Sequence, residues 1–170
     1  MIVYKPEKNL KTPIAVCIAC IIAGITVFLM GGMGVGWRLG MQLAGLILLV
    51  AAVEISTKFI FSSYTYEISV PVSGGADLIV TKIGGTRSMA VCNIGADSVV
   101  CIVKKEKLGE FEKKYGRMDV RYNYYANFGT SDVVWVHFIH NDKKALVAIE
   151  ANGEFYAELR KYFPSDEGEV

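Results

Sequence analysis

Two short constellations in the chain have spacings that chemistry uses. Cys17 and Cys20 form C-I-A-C, the spacing of redox dithiols and of paired zinc ligands. His137 and His140 lie in V-H-F-I-H, within reach of one another only if the backbone is helical. On a strand, residues three apart face opposite sides, so these imidazoles do not converge on one metal. The glycines of GGMGVGWRLG (31–40) suggest a third chemistry, a phosphate cradle. That cradle requires a strand before it, a helix after it and glycines at fixed spacing. Here long apolar runs flank the glycines, and the third glycine is misplaced. Ser62, Ser63 and Ser88 have no identifiable base partner, and no nucleophile elbow occurs. Glu106, Glu110 and Glu112 share a charged stretch, while Glu154 and Glu158 are one helical turn apart beside Arg160 and Lys161, the pattern of a solvated face. The expectation is a protein that is not an enzyme, with no cofactor and no metal.

The elements that would position such groups explain why they read this way. The chain has 170 residues, 52% of them hydrophobic, and a net charge of +1. Its charges are segregated: between Thr12 and Val53 the only charged residue is Arg38. Residues 12–30, TPIAVCIACIIAGITVFLM, would span nearly 30 Å as a helix, the thickness of a bilayer's hydrocarbon core. Pro13 stands where a first-turn residue needs no N–H. A second apolar run follows the glycines, giving a transmembrane helical hairpin over 12–58, with helices at 12–30 and 38–55. C-I-A-C then lies inside a span, where small apolar filling explains it. The glycines form the turn between spans, with Trp37 and Arg38 suited to the lipid–water boundary.

Charge sets the expected orientation. Lys5, Lys8 and Lys11 precede the first span and Lys58 follows the second, against Arg38 alone in the turn. Lysine retention places both termini, including an N-terminal segment 1–11, in the cytoplasm of a multi-pass cell-membrane protein. Cys92 and Cys101 are then expected to be free thiols.

From residue 60 the apolar pattern alternates. Strands are expected at 64–70 (YTYEISV), 77–83 (DLIVTKI), 87–94 (RSMAVCNI), 97–103 (DSVVCIV), 120–126 (VRYNYYA), 133–140 (VVWVHFIH) and 145–150 (ALVAIE). Turn signals separate them: SGGAD (73–77), GGT (84–86), NFGTSD and HNDKK. Residues 104–119, KKEKLGEFEKKYGRMD, read as a long charged connection. Asn152 to Phe163 reads as a capped amphipathic helix with Phe155, Leu159, Tyr162 and Phe163 on one face, ended by Pro164. An acidic tail, 165–170, follows.

The run DLIVTKIGGTR (77–87), the apolar strand pair after it and the closing helix Glu154–Phe163 give the chain a resemblance. It resembles bacterial membrane-anchored proteins with a pleckstrin-homology-like (PH-like) domain, a group mostly of unassigned function. The resemblance implies an α+β membrane protein: a two-helix transmembrane hairpin, then a seven-stranded antiparallel PH-like barrel or sandwich over 60–164 whose open end the C-terminal helix plugs. It is architectural and carries over no functional residues.

Binding is therefore the function class to weigh. From Glu54 onward the chain holds fourteen Lys and Arg against sixteen Asp and Glu, which excludes the basic footprint of a nucleic-acid binder. Tyr122, Tyr124, Tyr125 and Phe128 form an aromatic group that reads as sheet packing before it reads as a stacking platform. Lys104, Lys105, Lys107, Lys113, Lys114 and Arg117 gather in one connection, a candidate contact for anionic headgroups or an acidic partner. Ala15, Ala19 and Ala23, with Gly36, Gly40 and Ala44, recur at four-residue spacing and are candidates for helix–helix packing, within the hairpin or in a homo-oligomer. The leading expectation is an interaction or scaffold module whose partners are membrane lipids and a protein. An anionic-lipid headgroup reader and an accessory subunit of a transporter or enzyme complex are the alternatives.

Overall fold

The computed structural model describes residues 1–34, 36–71 and 74–165. The acidic tail from Asp166 onward and the Val72–Ser73 part of the expected turn lie outside the described residues. The chain divides into two compact units: Lys8–Ser62, and Met1–Glu7 together with the chain from Ser63 onward.

The first unit is a helical hairpin of α1 (Lys11–Gly32) and α2 (Arg38–Ile55), the latter extended by one π-helical turn, Ser56–Ile60. Both helices are long and apolar enough to cross a membrane, and only 11% and 17% of their most apolar windows are buried. A core helix of a soluble protein would be mostly covered. Here Ile18, Ile22, Ile25 and Leu29 of α1 and Leu43, Leu46, Ile47 and Val50 of α2 are exposed.

The hairpin packs on a narrow seam. Pro13, Cys17, Gly24 and Gly31 are the buried positions of α1, and Gly45 and Ala52 those of α2. A Cβ at Gly45 would lie 2.7 Å from the Gly24 carbonyl oxygen and 2.8 Å from the Phe28 nitrogen, so the backbones touch where the helices meet. Cys17 donates its thiol hydrogen to the Ala52 carbonyl at 3.5 Å. At the far end Lys8 Nζ donates to the carbonyls of Ile60 (2.6 Å) and Ser62 (2.8 Å), capping the negative end of the second helix with a cation.

The second unit contains eight strands, not seven, among the described residues. They form two four-stranded sheets. One has the order β1 (Ile2–Tyr4), β2 (Ser62–Ser69), β3 (Asp77–Gly84), β4 (Arg87–Gly95). The other has the order β5 (Val99–Lys104), β7 (Val133–His140), β8 (Lys143–Glu150), β6 (Val120–Tyr124). The extra strand is β1, which precedes the hairpin in sequence and pairs antiparallel with β2, Ile2 opposite Ile68.

The expected all-antiparallel order is also corrected. β6 runs parallel to β8, Val120 opposite Ala145 through Tyr124 opposite Ile149. The cause is a helix in the connection expected to be irregular: α3 (Leu108–Tyr115). A helical crossover returns the chain in the direction it left, so β6 runs the same way as β5 and joins the sheet beyond β8. The packing of α3 explains the composition of β8. Phe111 of α3 is buried with Cys101, Val103, Met118 and Leu146 on one face of the sheet, and Val147 and Ile149 are buried on the other. A strand covered on both faces reads as a continuous apolar run, as ALVAI does. β7 and β8 join through Asn141 (φ 50°) and Asp142 (φ 60°), the two positive-φ positions of a type I′ hairpin.

Closing the unit is α4 (Gly153–Tyr162), capped as expected: the Asn152 side chain accepts from Phe155 N at 2.9 Å. Phe155, Leu159 and Phe163 enter the core between the sheets.

Candidate functional site: a cleft between two sheet edges

Two packed four-stranded sheets have four edges, and the chain treats them unequally. On one side α4 and its flanks pack across the gap and leave a hollow of about 500 Å³ beside β1. The Tyr4 ring of β1 stacks on Phe155 at 4.8 Å, and Ile102 N of β5 donates to the Pro164 carbonyl at 2.8 Å. The adjoining Glu150 is buried. Its carboxylate accepts from Ala126 N (3.2 Å), Asn127 N (3.1 Å) and Asn127 Nδ2 (2.6 Å), and Asn127 Nδ2 also donates to the Glu7 carbonyl. This clamp binds the 126–127 loop and the N-terminal segment to the end of β8.

On the other side the sheets end in β4 and β6, and no further strand pairs with either outer edge among the described residues. A cleft of about 430 Å³ opens there. Its floor is the inner face of one sheet: Val120, Tyr122 and Tyr124 of β6, Phe138 and His140 of β7, Lys143 and Ala145 of β8. These are alternate residues, as the pleat requires. Its wall is the β4 segment Val91–Asn93. All three consecutive residues reach the cleft because β4 bulges there: Val80 pairs with Cys92 and Thr81 with Ala90, which leaves Val91 extra.

The walls are electrically quiet. Tyr122 and Tyr124 stack at 6.0 Å with their planes 12° apart, and Tyr124 also meets Tyr64 of the core at 5.8 Å. Burial pushes the Tyr124 hydroxyl and the Cys92 thiol up from their ordinary values, so both stay neutral. The lining includes no carboxylate. Lys143 supplies the one fixed charge, at the turn end beside His140 and Asn141.

The other candidates fall elsewhere. His137 and His140 face opposite sides of β7, as strand geometry demands. His140 borders the cleft, while His137 is buried under α3 with Phe111 and Tyr115 edge-on at 5.3 and 5.8 Å. The six basic residues of 104–117 are spread over the end of β5, the turn Lys105–Lys107, α3 and the segment after it. Lys104 and Lys105 line a separate hollow of about 290 Å³ near the start of α4, where Lys104 Nζ lies 4.7 Å from the Tyr156 ring and Lys105 donates to the Thr130 carbonyl. Lys107, Lys113, Lys114 and Arg117 are exposed around α3, with Lys113 and Lys114 in its last turn, where cations suit the helix dipole. Ala15, Ala19, Ala23 and Ala44 lie on the exposed outside of the hairpin, Gly36 is in the turn (φ 73°), and Gly40 sits against the Trp37 ring. The hairpin's own seam thus uses Gly24 and Gly45 in place of that stripe. Of the aromatic group, Tyr122 and Tyr124 enter the cleft, and Tyr125 and Phe128 do not line it.

Most of the cleft was not singled out from sequence. Val91 depends on a bulge, and Val120 and Ala145 become neighbours only through the parallel pairing. The Tyr122/Tyr124 alternation and the Asn-Asp turn before Lys143 were the signals available. Comparison with protein-family models, with curated proteins and with solved structures gives no match.

Proposed function

We propose that the chain is a non-enzymatic, membrane-anchored interaction module. In this reading α1 and α2 span the cell membrane, both termini are cytoplasmic, and the β-rich unit is presented at the bilayer surface to a protein partner. The anchor reading is supported by the exposed apolar outside of the hairpin. The orientation is supported by Lys5, Lys8, Lys11 and Lys58 against Arg38. Two packed sheets with a C-terminal helix entering between them support the PH-like reading, from which α3 and the parallel β6–β8 pair are departures.

The observation that carries the function is the unequal treatment of edges: α4 and its flanks pack against β1 and β5, with a hollow left beside β1, whereas the cleft opens directly between β4 and β6. Unpaired strand edges are templates for added backbone, and proteins cover them unless they use them. A headgroup-binding reading through residues 104–117 has less support, because Lys104 and Lys105 already engage the Tyr156 ring and the Thr130 carbonyl. Self-association through Ala15, Ala19 and Ala23 fits their outward placement.

The test is photo-crosslinking in the native membrane, with a photoreactive residue at Asn93 or Arg121 on the open side, or at Ala157 on α4. Protein adducts of discrete mass from 93 and 121 and none from 157 are expected. No adducts at the open side, or equal adducts at all three positions, would overturn the reading.

A further inference from the structure

The cleft between β4 and β6 has the chemistry of a small-molecule site. Its volume of about 430 Å³ lies within the range of roughly 300–1,000 Å³ typical of such sites. Val91, Val120, Phe138 and Ala145 offer hydrocarbon, and the stacked Tyr122 and Tyr124 extend it. A fully polar ligand would leave that surface wetted. A fully apolar one would strip water from Lys143, Asn93 and Asn141 without replacing its hydrogen bonds. Lys143 is at one end, makes no ion pair with any described carboxylate, and faces walls that hold no negative charge. The occupant that satisfies both ends is an amphipathic anion: an apolar chain against the tyrosines, and an acidic head at Lys143 with Asn141 as a further donor.

We propose that this cleft binds a single-chain amphipathic anion of the long-chain fatty-acid class. The proposal rests on the open side being the binding side, and it concerns the cleft interior, not the strand edges at its lips. The same chemistry has two sources near a bilayer, a free fatty acid and an anionic phospholipid. The cleft's size favours one chain.

The test uses the full chain in nanodiscs of zwitterionic phospholipid, labelled with a diazirine-bearing long-chain fatty acid and mapped by peptide mass. Adducts are expected in 91–93, 120–124 or 138–145, in addition to those on α1 and α2, whose exposed apolar faces serve as an internal standard. Lys143→Glu should lower the cleft adducts about fivefold, the scale of one exposed charge pair, and leave the helices' labelling unchanged. Val120→Trp, a strand-compatible residue that fills the floor, should abolish them. The uncharged alcohol of equal chain length should label the native cleft only as weakly as the acid labels Lys143→Glu. Labelled helices with an unlabelled cleft, or cleft adducts indifferent to both substitutions, would overturn the proposal. Cleft labelling by a diazirine phospholipid as strong as by the acid would overturn the single-chain assignment. Protein crosslinks at 93 and 121 beside an unlabelled cleft would sink this inference and leave the interaction reading standing.

Discussion

Gly24 and Gly45 meet backbone to backbone: a methyl group added to Gly45 would stand 2.7 Å from the Gly24 carbonyl oxygen. The hairpin is held closed by what these positions lack. Gly45→Leu should force the helices apart at a cost of about 1–3 kcal/mol, the usual scale of overpacking. Ala15→Leu, on the exposed outside, should cost nothing measurable. Unfolding of the full chain in a detergent titration, followed by Trp37 fluorescence in a Trp135→Phe background, checks both. Equal behaviour of the two variants would place the seam elsewhere.

Glu150 is a buried acceptor for three N–H groups. Glu150→Ala orphans all three and should destabilise the β unit by about 2–4 kcal/mol. Glu150→Gln keeps one acceptor oxygen and should lose about half as much. Thermal melting gives the totals. Amide exchange at Ala126 and Asn127 should rise in both variants before the rest of the sheet loosens.

His137 is buried with neither ring nitrogen hydrogen-bonded among the described residues, and burial, then Lys144, pushes its pKa below the ordinary 6.5. The fold therefore holds it neutral, and the unfolded chain takes up its proton first as pH falls. Its contribution to stability is complete above about 6.5 and is lost as pH falls from there toward the folded value, at no more than about 1.4 kcal/mol per pH unit. His137→Leu should flatten the stability profile below about pH 6.5. A profile identical to that of the native chain would show that His137 does not titrate with unfolding.

Leu159 is fully buried where α4 enters between the sheets. Leu159→Ala should cost about 2–5 kcal/mol in thermal unfolding. An unchanged melting curve would mean that α4 does not pack there.

For topology, single cysteines at Met33 and Met89, both exposed, should respond oppositely to an impermeant thiol reagent in intact cells once the native cysteines are replaced. Labelling at 33 and protection at 89 are expected. The reverse pattern would invert the assigned orientation.

The sequence was most readable where one solvent or one neighbour dominated. The charge-free runs around Cys17 and Leu46 marked the hairpin, alternation with turn residues marked β2 to β5, β6 and β7, and the apolar run ALVAI marked β8. Asn152 announced the start of α4. The failures have physical causes. Three residues, Ile2 to Tyr4, are too few to show a period. In α3, Leu108, Phe111 and Tyr115 have helical spacing, but the lysines and glycines around them hide it. The direction of β6 follows from α3, so missing one meant missing the other. The cleft suffered most, because its wall and floor come from strands that are neighbours in space only.

The pairing of β1 with β2 imposes an order on assembly. Ile2 leaves the ribosome before its partner Ile68, which does not exist until both apolar helices have been made. During that interval Tyr4 lacks both Tyr66 and Phe155, the rings it stacks on in the finished fold. If the hairpin spans the bilayer as proposed, a chain in which only one of its two helices crosses strands its opening segment across the membrane from its partner. The β unit would then be born with a missing edge strand, and Glu7 could not reach the Glu150 clamp through Asn127. In that reading insertion is proofread by folding: a chain with one uncrossed helix announces itself as an unfinished domain.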